Sequence, residues 1–530
     1  MNKKILSAQD LVLAAIAALS LVLIYNFKTI GARFSLYSSG EILIFAAEIS
    51  IAFLTTFLFF LICSFNKKFF KTILVLMFLF STISLYILNK FGIIFDEIML
   101  ANAFTSVGHV GEVVDYSLAI YFLFGTILPA VLIIKINLQS TKIKTKLIVL
   151  IIAAISYGAI YSGFNKGSTS KIFNSYSPIN YFGSTYKFYQ RFHSGLKQAK
   201  LRVDLDKFYN FDYDKKLDDL NVVLIIGESL RADHLHLNGY WRQTTPNLEK
   251  INNLLHYQIR ASFNTTTPSV TSILSSRTKA EFIDIPPEKS IISVFKNLGF
   301  KTYWYSAQSS KEFTNGMLNI MAAETDNYFF IDKLQTTLKA NQKVYDENLL
   351  PFFDQALSSG GNKFIILHSF GSHIRFDERS PENFKIFKPE CIGLPSSCPK
   401  DLVANSYDNS VVYTDHFVAS AINRLKNTNS ILFYVSDHGV FLGENNVYAN
   451  GNSDQIDDKV HIVPMLIYMT DSVLKNKDYQ QKFNSAKAKI NAKNLSHDNL
   501  FDSIIDCSAI KSNILQRNLS LCQESKIRSK

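Results

Sequence analysis

The chain has 530 residues, a formal net charge of +11 at pH 7 and 48% hydrophobic residues. That length exceeds one ordinary domain, so at least two regions are expected. The apolar residues concentrate before about residue 165, and the remainder has the composition of a globular protein. The basic residues do not gather into one helix or arm, which argues against a nucleic-acid-binding protein. Anionic lipid headgroups are a simpler explanation of this positive charge than nucleic acid.

Five apolar stretches in the N-terminal third are long enough to cross a bilayer, which requires about 20 helical residues. They lie near residues 9–26, 42–64, 70–89, 118–135 and 147–165. The first has no small-residue cleavage site and is followed by further stretches, so we interpret it as an anchor rather than a removable signal peptide. The sequence therefore predicts a five-helix transmembrane domain over residues 1–165.

Charged residues at the ends of these stretches indicate their orientation. Three flanking segments are basic, with Lys3, Lys4, Lys67, Lys68, Lys71, Lys135, Lys142, Lys144 and Lys146. These segments fall on one side of the membrane, which the positive-inside rule identifies as the cytoplasm. An odd number of spans then places everything after residue 165 outside the cytoplasm. The loop between the third and fourth stretches lies outside too, and it carries Asp96, Glu97, Glu112 and Asp115.

Residues 166–220 form an interfacial connector in this interpretation. Aromatic and basic residues alternate between Tyr176 and Lys200. Such a segment can lie flat on a membrane, with its rings at the level of the headgroups and its cations on phosphates. The alternative is a linker that packs on the C-terminal domain.

Short β-rich runs alternate with helical stretches after residue 220. The runs are almost continuously apolar, which is typical of buried strands in a parallel sheet that helices cover on both faces. They are Asn221–Gly227, Lys301–Ser306, Lys363–His368, Ser430–Ser436 and Val463–Met469. The sequence therefore predicts an α/β domain with a mostly parallel sheet over residues 221–530. In such sheets, functional residues gather past the carboxyl ends of the strands.

Side chains of the kind that bind metals follow three of these strands. Glu228 follows the first, His368 and His373 follow the third, and Asp437 and His438 follow the fourth. Because parallel strands end at the same edge of a sheet, an acid and an Asp-His pair would meet there and leave a fourth tetrahedral position open on zinc. A polar turn is the alternative for each cluster alone, and two clusters in one domain favour a metal site.

A run of threonines opens a helix-like segment at Phe263–Ser276, which reads FNTTTPSVTSILSS. A helix N-terminus offers backbone N–H groups and the positive end of the helix dipole to a phosphate. Coordination to zinc can lower the pKa of a threonine hydroxyl enough for nucleophilic attack. The alternative is a threonine that only caps the helix. The metal clusters favour a nucleophilic threonine that fills the fourth position.

The chain has five cysteines. Cys63 lies in an apolar stretch and is interpreted as a buried small hydrophobe. The other four form two close pairs, Cys391 with Cys398 and Cys507 with Cys522. Because the region is expected outside the cytoplasm, the spacing predicts two disulfides. Free thiols in a reducing compartment are the alternative.

Four runs of the sequence together resemble the phosphoethanolamine transferases. They are residues 227–248 (GESLRADHLHLNGYWRQTTPNL), the threonine-rich helix start, residues 367–373 (LHSFGSH) and residues 434–451 (YVSDHGVFLGENNVYANG). That family modifies lipid A and other surface structures of Gram-negative bacteria and belongs to the alkaline phosphatase and sulfatase superfamily. The resemblance covers essentially the whole chain. It implies an inner-membrane enzyme whose periplasmic domain has the α/β fold of that superfamily.

The resemblance also implies roles for individual residues around the metal site. The zinc ligands would be Glu228, Asp437 and His438. Thr266 would be the nucleophile and the fourth ligand, with Thr265 and Thr267 as close competitors. His373 would hold the substrate phosphate or a second zinc ion.

Other residues match positions that contact the donor lipid in the family. Gln308 and Lys311 lie where the family has a polar loop that contacts the headgroup. In the outer loop between the third and fourth spans, the residues that would hold the ethanolamine lipid are Asn102, Ser106 and Glu112. An acidic group there suits a cationic ammonium.

The chain departs from the family at several positions. Phe263 and Ile273 stand where well-studied members have a cysteine pair beside the nucleophile, so that link is absent. Asn450 stands where the family often has a histidine, which argues against a complete second zinc site. His461 could substitute for it, but a structural role is the preferred interpretation. The sequence has no Cys-x-Pro-x-Arg stretch, so the formylglycine chemistry of true sulfatases is not expected.

The reaction that the resemblance implies is transfer of phosphoethanolamine from phosphatidylethanolamine to lipid A or another surface glycan. It would pass through a phospho-threonine intermediate, and we expect a monomer. The nearest alternative is a glycerol-phosphate transferase of the lipoteichoic-acid-synthase type, which has a similar plan. A non-enzymatic membrane receptor or scaffold is the alternative of another class, and the presence of every proposed ligand argues against it.

Overall fold

The computed structural model describes residues 8–34, 41–92, 94–95, 114–163, 172–173, 175–199, 201–214, 216–308, 316–331, 343–450 and 457–524. The chain forms two compact units, one up to residue 191 and one that includes everything from residue 192 onward. The first is helical where it is described, and the second combines helices with a large sheet. We call them the helical unit and the α/β unit.

Helices build the helical unit, and the last of them continues beyond residue 191. They are α1 (Gln9–Leu23), α2 (Phe27–Phe34), α3 (Ile42–Cys63), α4 (Lys67–Phe91), α5 (Ser117–Lys135), α6 (Ile143–Tyr161) and α7 (Ile179–Ala199). Among the described residues, α3, α4, α5 and α6 are long and apolar enough to cross a membrane. Residues 123–127 of α5 are π-helical, and a Cβ added at Gly125 would lie 2.5 Å from Thr82 Oγ1 of α4. The two helices therefore approach closely at this point.

The five-helix prediction is not confirmed, because the first apolar stretch is interrupted. α1 has 15 residues and ends at Leu23, and α2 begins at Phe27. Asn26 lies between them, and its Nδ2 donates to the carbonyls of Leu21 (2.9 Å) and Val22 (3.1 Å). Those carbonyls belong to the last turn of α1, where the helix itself supplies no donors for them. The part of the chain that is described thus has four candidate spans and a shorter first helix.

The first part of the connector packs on the helices of the helical unit. Tyr176 is fully buried, and its hydroxyl donates to Glu48 of α3 (2.7 Å). Arg33 of α2 pairs with the same carboxylate. Ser177 exchanges two hydrogen bonds with Asn26, since its N–H donates to Oδ1 (2.9 Å) and its carbonyl accepts from Nδ2 (2.8 Å). These polar contacts fix the connector to α2, α3 and the break after α1.

The α/β unit contains eleven strands among its described residues. They are β1 (Phe211–Tyr213), β2 (Asn221–Gly227), β3 (Leu254–Arg260), β4 (Lys301–Ser306), β5 (Asn327–Phe330), β6 (Lys363–His368), β7 (Ser430–Ser436), β8 (Phe441–Leu442), β9 (Tyr448–Ala449), β10 (Ile462–Met469) and β11 (Ile510–Ser512). Seven form the main sheet in the order β3-β10-β7-β2-β6-β4-β5. Strands β7, β2, β6, β4 and β5 run parallel, and β10 is antiparallel to both of its neighbours.

The sheet is buried on both faces, as its continuous apolar strands predict. Side chains of β2 alternate between two cores, with Val222, Leu224 and Ile226 in one and Val223 and Ile225 in the other. The helices of this unit are α8 (Thr266–Leu274), α9 (Ile291–Asn297), α10 (Met317–Ala322), α11 (Leu350–Leu357), α12 (Lys400–Leu425), α13 (Asp458–His461), α14 (Asp471–Leu474), α15 (Lys477–Lys487) and α16 (Asp498–Cys507). The first core includes α8, α9, α10, α15 and α16, and the second includes α11 and α12.

The sequence and the structure agree on the cysteines. Cys391 pairs with Cys398, and Cys507 pairs with Cys522. Cys63 is a buried free thiol at the end of α3. The disulfides therefore belong to the α/β unit, and the free thiol belongs to the helical unit.

We expect Asn26→Leu to destabilise the helical unit by about 1–3 kcal/mol, because the substitution leaves the buried N–H and carbonyl of Ser177 without their partner. Cys63 is the one cysteine outside the disulfides, so its reaction with a fluorogenic thiol reagent during heating reports unfolding of this unit. The midpoint should fall in Asn26→Leu and stay unchanged in Thr72→Val, which removes an exposed hydroxyl bonded within its own helix. Equal midpoints for all three proteins would contradict the role given to Asn26.

Candidate metal centre

Three potential metal ligands lie together at the carboxyl ends of β2 and β7. These strands are parallel neighbours, with Gly227 opposite Ser436, so the residues that follow them leave the sheet side by side. Glu228, Asp437 and His438 are almost completely buried, and their ligand atoms all lie within 4.8 Å of one another. Among the described residues this is the one group of acids, histidines and cysteines with that geometry.

The two carboxylates share a common support in Ser229. The Ser229 N–H donates to Asp437 Oδ1 (3.0 Å), and its hydroxyl donates to Glu228 Oε1 (2.5 Å). Ser229 adopts a positive φ of 57°, which is uncommon for a residue with a side chain. The strained backbone is what allows one residue to donate to both acids. Sequence analysis missed Ser229, although it stands beside Glu228.

The His438 imidazole is oriented to present a lone pair to the acids. Its Nδ1 lies 2.7 Å from the Gly439 carbonyl, which can only accept, so Nδ1 carries the proton. Nε2 is then the unprotonated nitrogen, 3.3 Å from Asp437 Oδ2 and 3.5 Å from Glu228 Oε1. Burial lowers the pKa of His438, which favours this neutral form. A neutral imidazole held through its other nitrogen is the usual state of a metal-binding histidine.

The electrostatics of the cluster fit a divalent cation. Burial and the neighbouring Glu228 carboxylate raise the pKa of Asp437 well above its usual range. Asp437 Oδ2 is buried and has no hydrogen-bond partner among the described residues. Two acids and an imidazole lone pair that face one another offer only acceptors, and a bound cation would satisfy all of them.

Thr266 is the threonine that reaches this cluster. It is the first residue of α8, and its hydroxyl donates to Glu228 Oε2 (2.9 Å) and lies 3.3 Å from His438 Nε2. The Thr265 hydroxyl is buried with no hydrogen-bond partner in the described part of the chain, and Thr267 is exposed. Among the three candidates, the geometry therefore favours Thr266.

His373 lies on a loop that packs directly against Glu228. The Ser372 N–H donates to the Glu228 carbonyl (2.9 Å), and a Cβ at Gly371 would lie 2.7 Å from that same oxygen. The His373 ring stacks on Phe370 at 5.0 Å between centroids. The buried Asp346 carboxylate accepts the N–H groups of Phe370 and Gly371, and burial raises its pKa to about 6. Hydrogen bonds to Glu228 and to Asp346 thus hold the loop beside the candidate ligands.

The remaining predicted substrate contacts divide into two groups. Gln308 is buried, and its Nε2 lies 3.2 Å from Glu228 Oε2 and 3.1 Å from the Ser369 carbonyl. It therefore contacts a candidate metal ligand, which the headgroup assignment did not anticipate. Four other predicted contacts lie outside the described residues, namely Asn102, Ser106, Lys311 and Glu112.

The positions where the chain departs from the family have ordinary structural contacts. The Asn450 carbonyl accepts from Asn264 Nδ2 (2.8 Å). His461 Nδ1 lies 2.9 Å from the Asp457 carbonyl, which is a local bond at the start of β10. Phe263 packs on Phe282 at 4.4 Å between ring centroids, and Ile273 is fully buried.

A buried histidine supports the two segments that carry Thr266 and Asp437. The Ser262 N–H donates to His497 Nδ1 (3.1 Å), and His497 Nε2 donates to the Ser436 carbonyl (3.0 Å). Nδ1 is therefore unprotonated and Nε2 carries the proton, so the imidazole is neutral. Burial lowers its pKa to about 3. Sequence analysis gave no sign of His497, because it stands alone before α16.

Comparison with known proteins places this geometry in a family. The family described as sulfatase matches residues 220–510, and the family described as phosphoethanolamine transferase EptA/EptB matches residues 51–192. The chain belongs to the sulfatase family, and its N-terminal part is similar to the phosphoethanolamine transferases EptA and EptB. The match to two families corresponds to the two units of the structure.

Individual relatives agree with this placement. The Kdo(2)-lipid A phosphoethanolamine 7''-transferase of Escherichia coli (strain K12) is 33% identical over 343 residues, which covers 63% of this chain and 59% of that protein. The chain thus aligns with less than two thirds of that relative's length. The integral membrane lipooligosaccharide phosphoethanolamine transferase A of Neisseria meningitidis has a TM-score of 0.84 at 22% identity, covering 97% of this chain and 99% of that one.

A third similar structure is the C-terminal periplasmic domain of EcEptC from Escherichia coli in complex with Zn. Its TM-score is 0.51 at 24% identity, covering 61% of this chain and 90% of that one. These two structures show that the fold of the α/β unit is shared.

The neutral His497 predicts a loss of stability in acid. The pKa of His497 is about 3 in the folded state and 6.5 when unperturbed. Below about pH 6.5 the unfolded chain therefore binds a proton at His497 that the folded chain does not bind. We expect this group to cost about 2 kcal/mol of stability between about pH 7.5 and about pH 5.

The measurement is denaturant unfolding of the full chain, followed by the fluorescence of Trp241 and Trp304, which both lie in the α/β unit. Wild type and His497→Gln are compared at both pH values, and the gap in stability between them should narrow by about 2 kcal/mol in acid. A gap that does not change with pH would contradict the neutral assignment of His497.

Proposed function

We propose that the protein transfers phosphoethanolamine from phosphatidylethanolamine to lipid A, with Thr266 as the covalent nucleophile. The observation that carries the proposal is the contact of the Thr266 hydroxyl with both Glu228 and His438 at the N-terminus of α8. The names of the family and of its relatives supply the transferred group and the acceptor.

We further propose that the metal is zinc and that its ligands are Glu228, Asp437, His438 and Thr266. Two carboxylates, one imidazole and one oxygen nucleophile match the ligand set of catalytic zinc sites. The EcEptC domain of the same fold is a complex with Zn. A bound zinc ion would lower the pKa of the Thr266 hydroxyl and offset negative charge on the phosphate oxygens.

The proposed reaction has two displacement steps, in which individual residues of the chain have different roles. In the first, Thr266 Oγ1 forms a bond to the phosphorus of phosphatidylethanolamine, and the bond to the diacylglycerol oxygen breaks. The hydroxyl proton of Thr266, which points at Glu228 Oε2 in the structure, ends on the diacylglycerol oxygen, so diacylglycerol leaves as a neutral alcohol and Glu228 remains a carboxylate. Backbone N–H groups in the first turn of α8 lack helical partners and can bind the phosphate oxygens.

In the second step an oxygen of the acceptor forms a bond to the phosphorus, the bond between the phosphorus and Thr266 Oγ1 breaks, and Oγ1 regains a proton. Acceptor and donor would reach the same centre in turn, so the protein needs no second nucleophilic residue. His373 lies beside Glu228 on its stacked loop and is the proposed contact for the substrate phosphate.

We place the protein in the bacterial inner membrane with the α/β unit in the periplasm, as a monomer. The two disulfides of this unit favour an oxidising compartment. Donor and acceptor lipids in the same bilayer would then meet a tethered enzyme at high effective concentration. The glycerol-phosphate alternative is not favoured, because the family that matches residues 51–192 is that of the phosphoethanolamine transferases.

Replacement of Thr266 should abolish transfer. We expect Thr266→Ala to lower activity at least about a thousandfold, because it removes the group that forms the covalent bond. Mass spectrometry of the wild-type protein, stopped after mixing with phosphatidylethanolamine, should find a phosphoethanolamine addition on the peptide that contains Thr266. Thr265→Ala and Thr267→Ala are the matched controls and should still be labelled. Labelling of Thr266→Ala would reject the nucleophile assignment.

Metal removal should lower both activity and the stability of the α/β unit. A ligand that binds only the folded state raises its stability, so zinc should raise the thermal midpoint that Trp304 reports. Asp437→Asn should abolish this increase, because it removes a ligand charge. Asp415→Asn changes another buried carboxyl, on α12, and should keep the increase. A zinc response in Asp437→Asn as large as that of wild type would contradict the ligand set.

A further inference from the structure

Gln308 joins three strand ends at the edge of the sheet where the metal centre lies. It follows β4 by two residues, and its N–H donates to the hydroxyl of Ser306, the last residue of β4 (3.1 Å). Its side-chain nitrogen lies 3.1 Å from the Ser369 carbonyl after β6 and 3.2 Å from Glu228 Oε2 after β2. The strands β4, β6 and β2 are neighbours in that order, so one buried side chain ties all three ends together.

The orientation of the Gln308 amide follows from its partners. The Ser369 carbonyl can only accept a hydrogen bond, and a carboxylate oxygen of Glu228 also accepts. The atom between them is therefore the amide nitrogen, and each of its two hydrogens has one acceptor. Both amide hydrogens are therefore bonded within the protein.

The Glu228 carboxylate needs donors because it is buried beside Asp437. Its Oε1 accepts from the Ser229 hydroxyl, and its Oε2 accepts from Thr266 and Gln308. Thr266 gives up its hydroxyl proton when it acts as the nucleophile. Among the described residues, Gln308 is then the donor that remains on Oε2.

We propose that Gln308 is a positioning residue, which holds the Glu228 carboxylate in the orientation that binds the metal. This role rests on the metal centre of the proposed function. Neighbours that donate hydrogen bonds to metal ligands fix the ligand geometry, and their loss typically lowers metal affinity or activity by about 10–100-fold.

The test measures zinc affinity directly, by competition between a chelating dye and the full-length protein in detergent. Gln308→Leu removes both donors, and Gln308→Glu keeps the size of the side chain but turns a carboxylate toward Glu228. Asn221→Leu is the matched control. Asn221 is also 3% exposed, and it donates to Ser430 Oγ (3.0 Å) at the opposite end of β2.

We expect both Gln308 variants to bind zinc about 10–100-fold more weakly than wild type, with kcat for the lipid donor reduced and its KM unchanged. Asn221→Leu should lose thermal stability and keep the zinc affinity of wild type. Gln308→Glu preserves the comparison if Gln308→Leu does not fold.

Two results would overturn the role of Gln308 alone. One is wild-type zinc affinity with a raised KM, which would make Gln308 a headgroup contact. The other is wild-type affinity with lowered stability only, which would make its role structural. A wild-type protein that binds no zinc would reject the metal centre of the proposed function, and this role of Gln308 with it.

Discussion

The structure of the α/β unit is organised around two carboxyl groups that lie side by side in its interior. Glu228 and Asp437 follow parallel neighbouring strands, and the register of these strands places the two carboxyl groups side by side. Burial of one acid beside another is costly unless a cation or a proton offsets the charge. The fold keeps this arrangement despite its cost, which is the mark of a site retained for its chemistry.

Several unusual features of the surrounding chain are connected with this pair of buried acids. Ser229 accepts a strained backbone and thereby donates to both acids. Gly371 has a φ of +47° and approaches the Glu228 backbone so closely that no side chain would fit. Asp346, itself a buried acid, holds the loop that contains Gly371. Ser229 directs two donors at the acids, and Gly371 and Asp346 keep the loop that carries His373 against Glu228.

Much of this arrangement could be predicted from the sequence because it depends on strands. The run NVVLIIG identifies β2 and SILFYVS identifies β7, and the residues that follow them had to share an edge once the sheet was parallel. The four longest spans were predicted for the same reason, since apolar length alone decides them. The antiparallel direction of β10 was not predicted, because a buried antiparallel strand has the same apolar pattern as a parallel one.

Contacts made by single polar side chains could not be predicted. Asn26 bonds to the last carbonyls of α1 where the first apolar stretch is interrupted, and no apolar pattern records that contact. The family resemblance predicts a headgroup contact for Gln308, and its contact with Glu228 depends on the distance between strand ends, which the sequence does not give. His497 is a lone histidine in sequence, and only the folded chain brings Ser262 and Ser436 to its two nitrogens.

The segment that carries Thr266 shows how such contacts hold a chain in place without a covalent link. Phe263 and Ile273 stand where relatives of the resembled family have a cysteine pair, yet the chain around them is held in place. The Ser272 hydroxyl donates to the Ser262 hydroxyl (2.9 Å), so the two residues that precede Phe263 and Ile273 are joined directly. The Ser269 hydroxyl donates to the Phe263 carbonyl (3.0 Å), and Ile273 is buried in the core. Because both disulfides lie elsewhere in the unit, the position of Thr266 depends on packing and hydrogen bonds, and a reductant that opened the disulfides would not act on it directly.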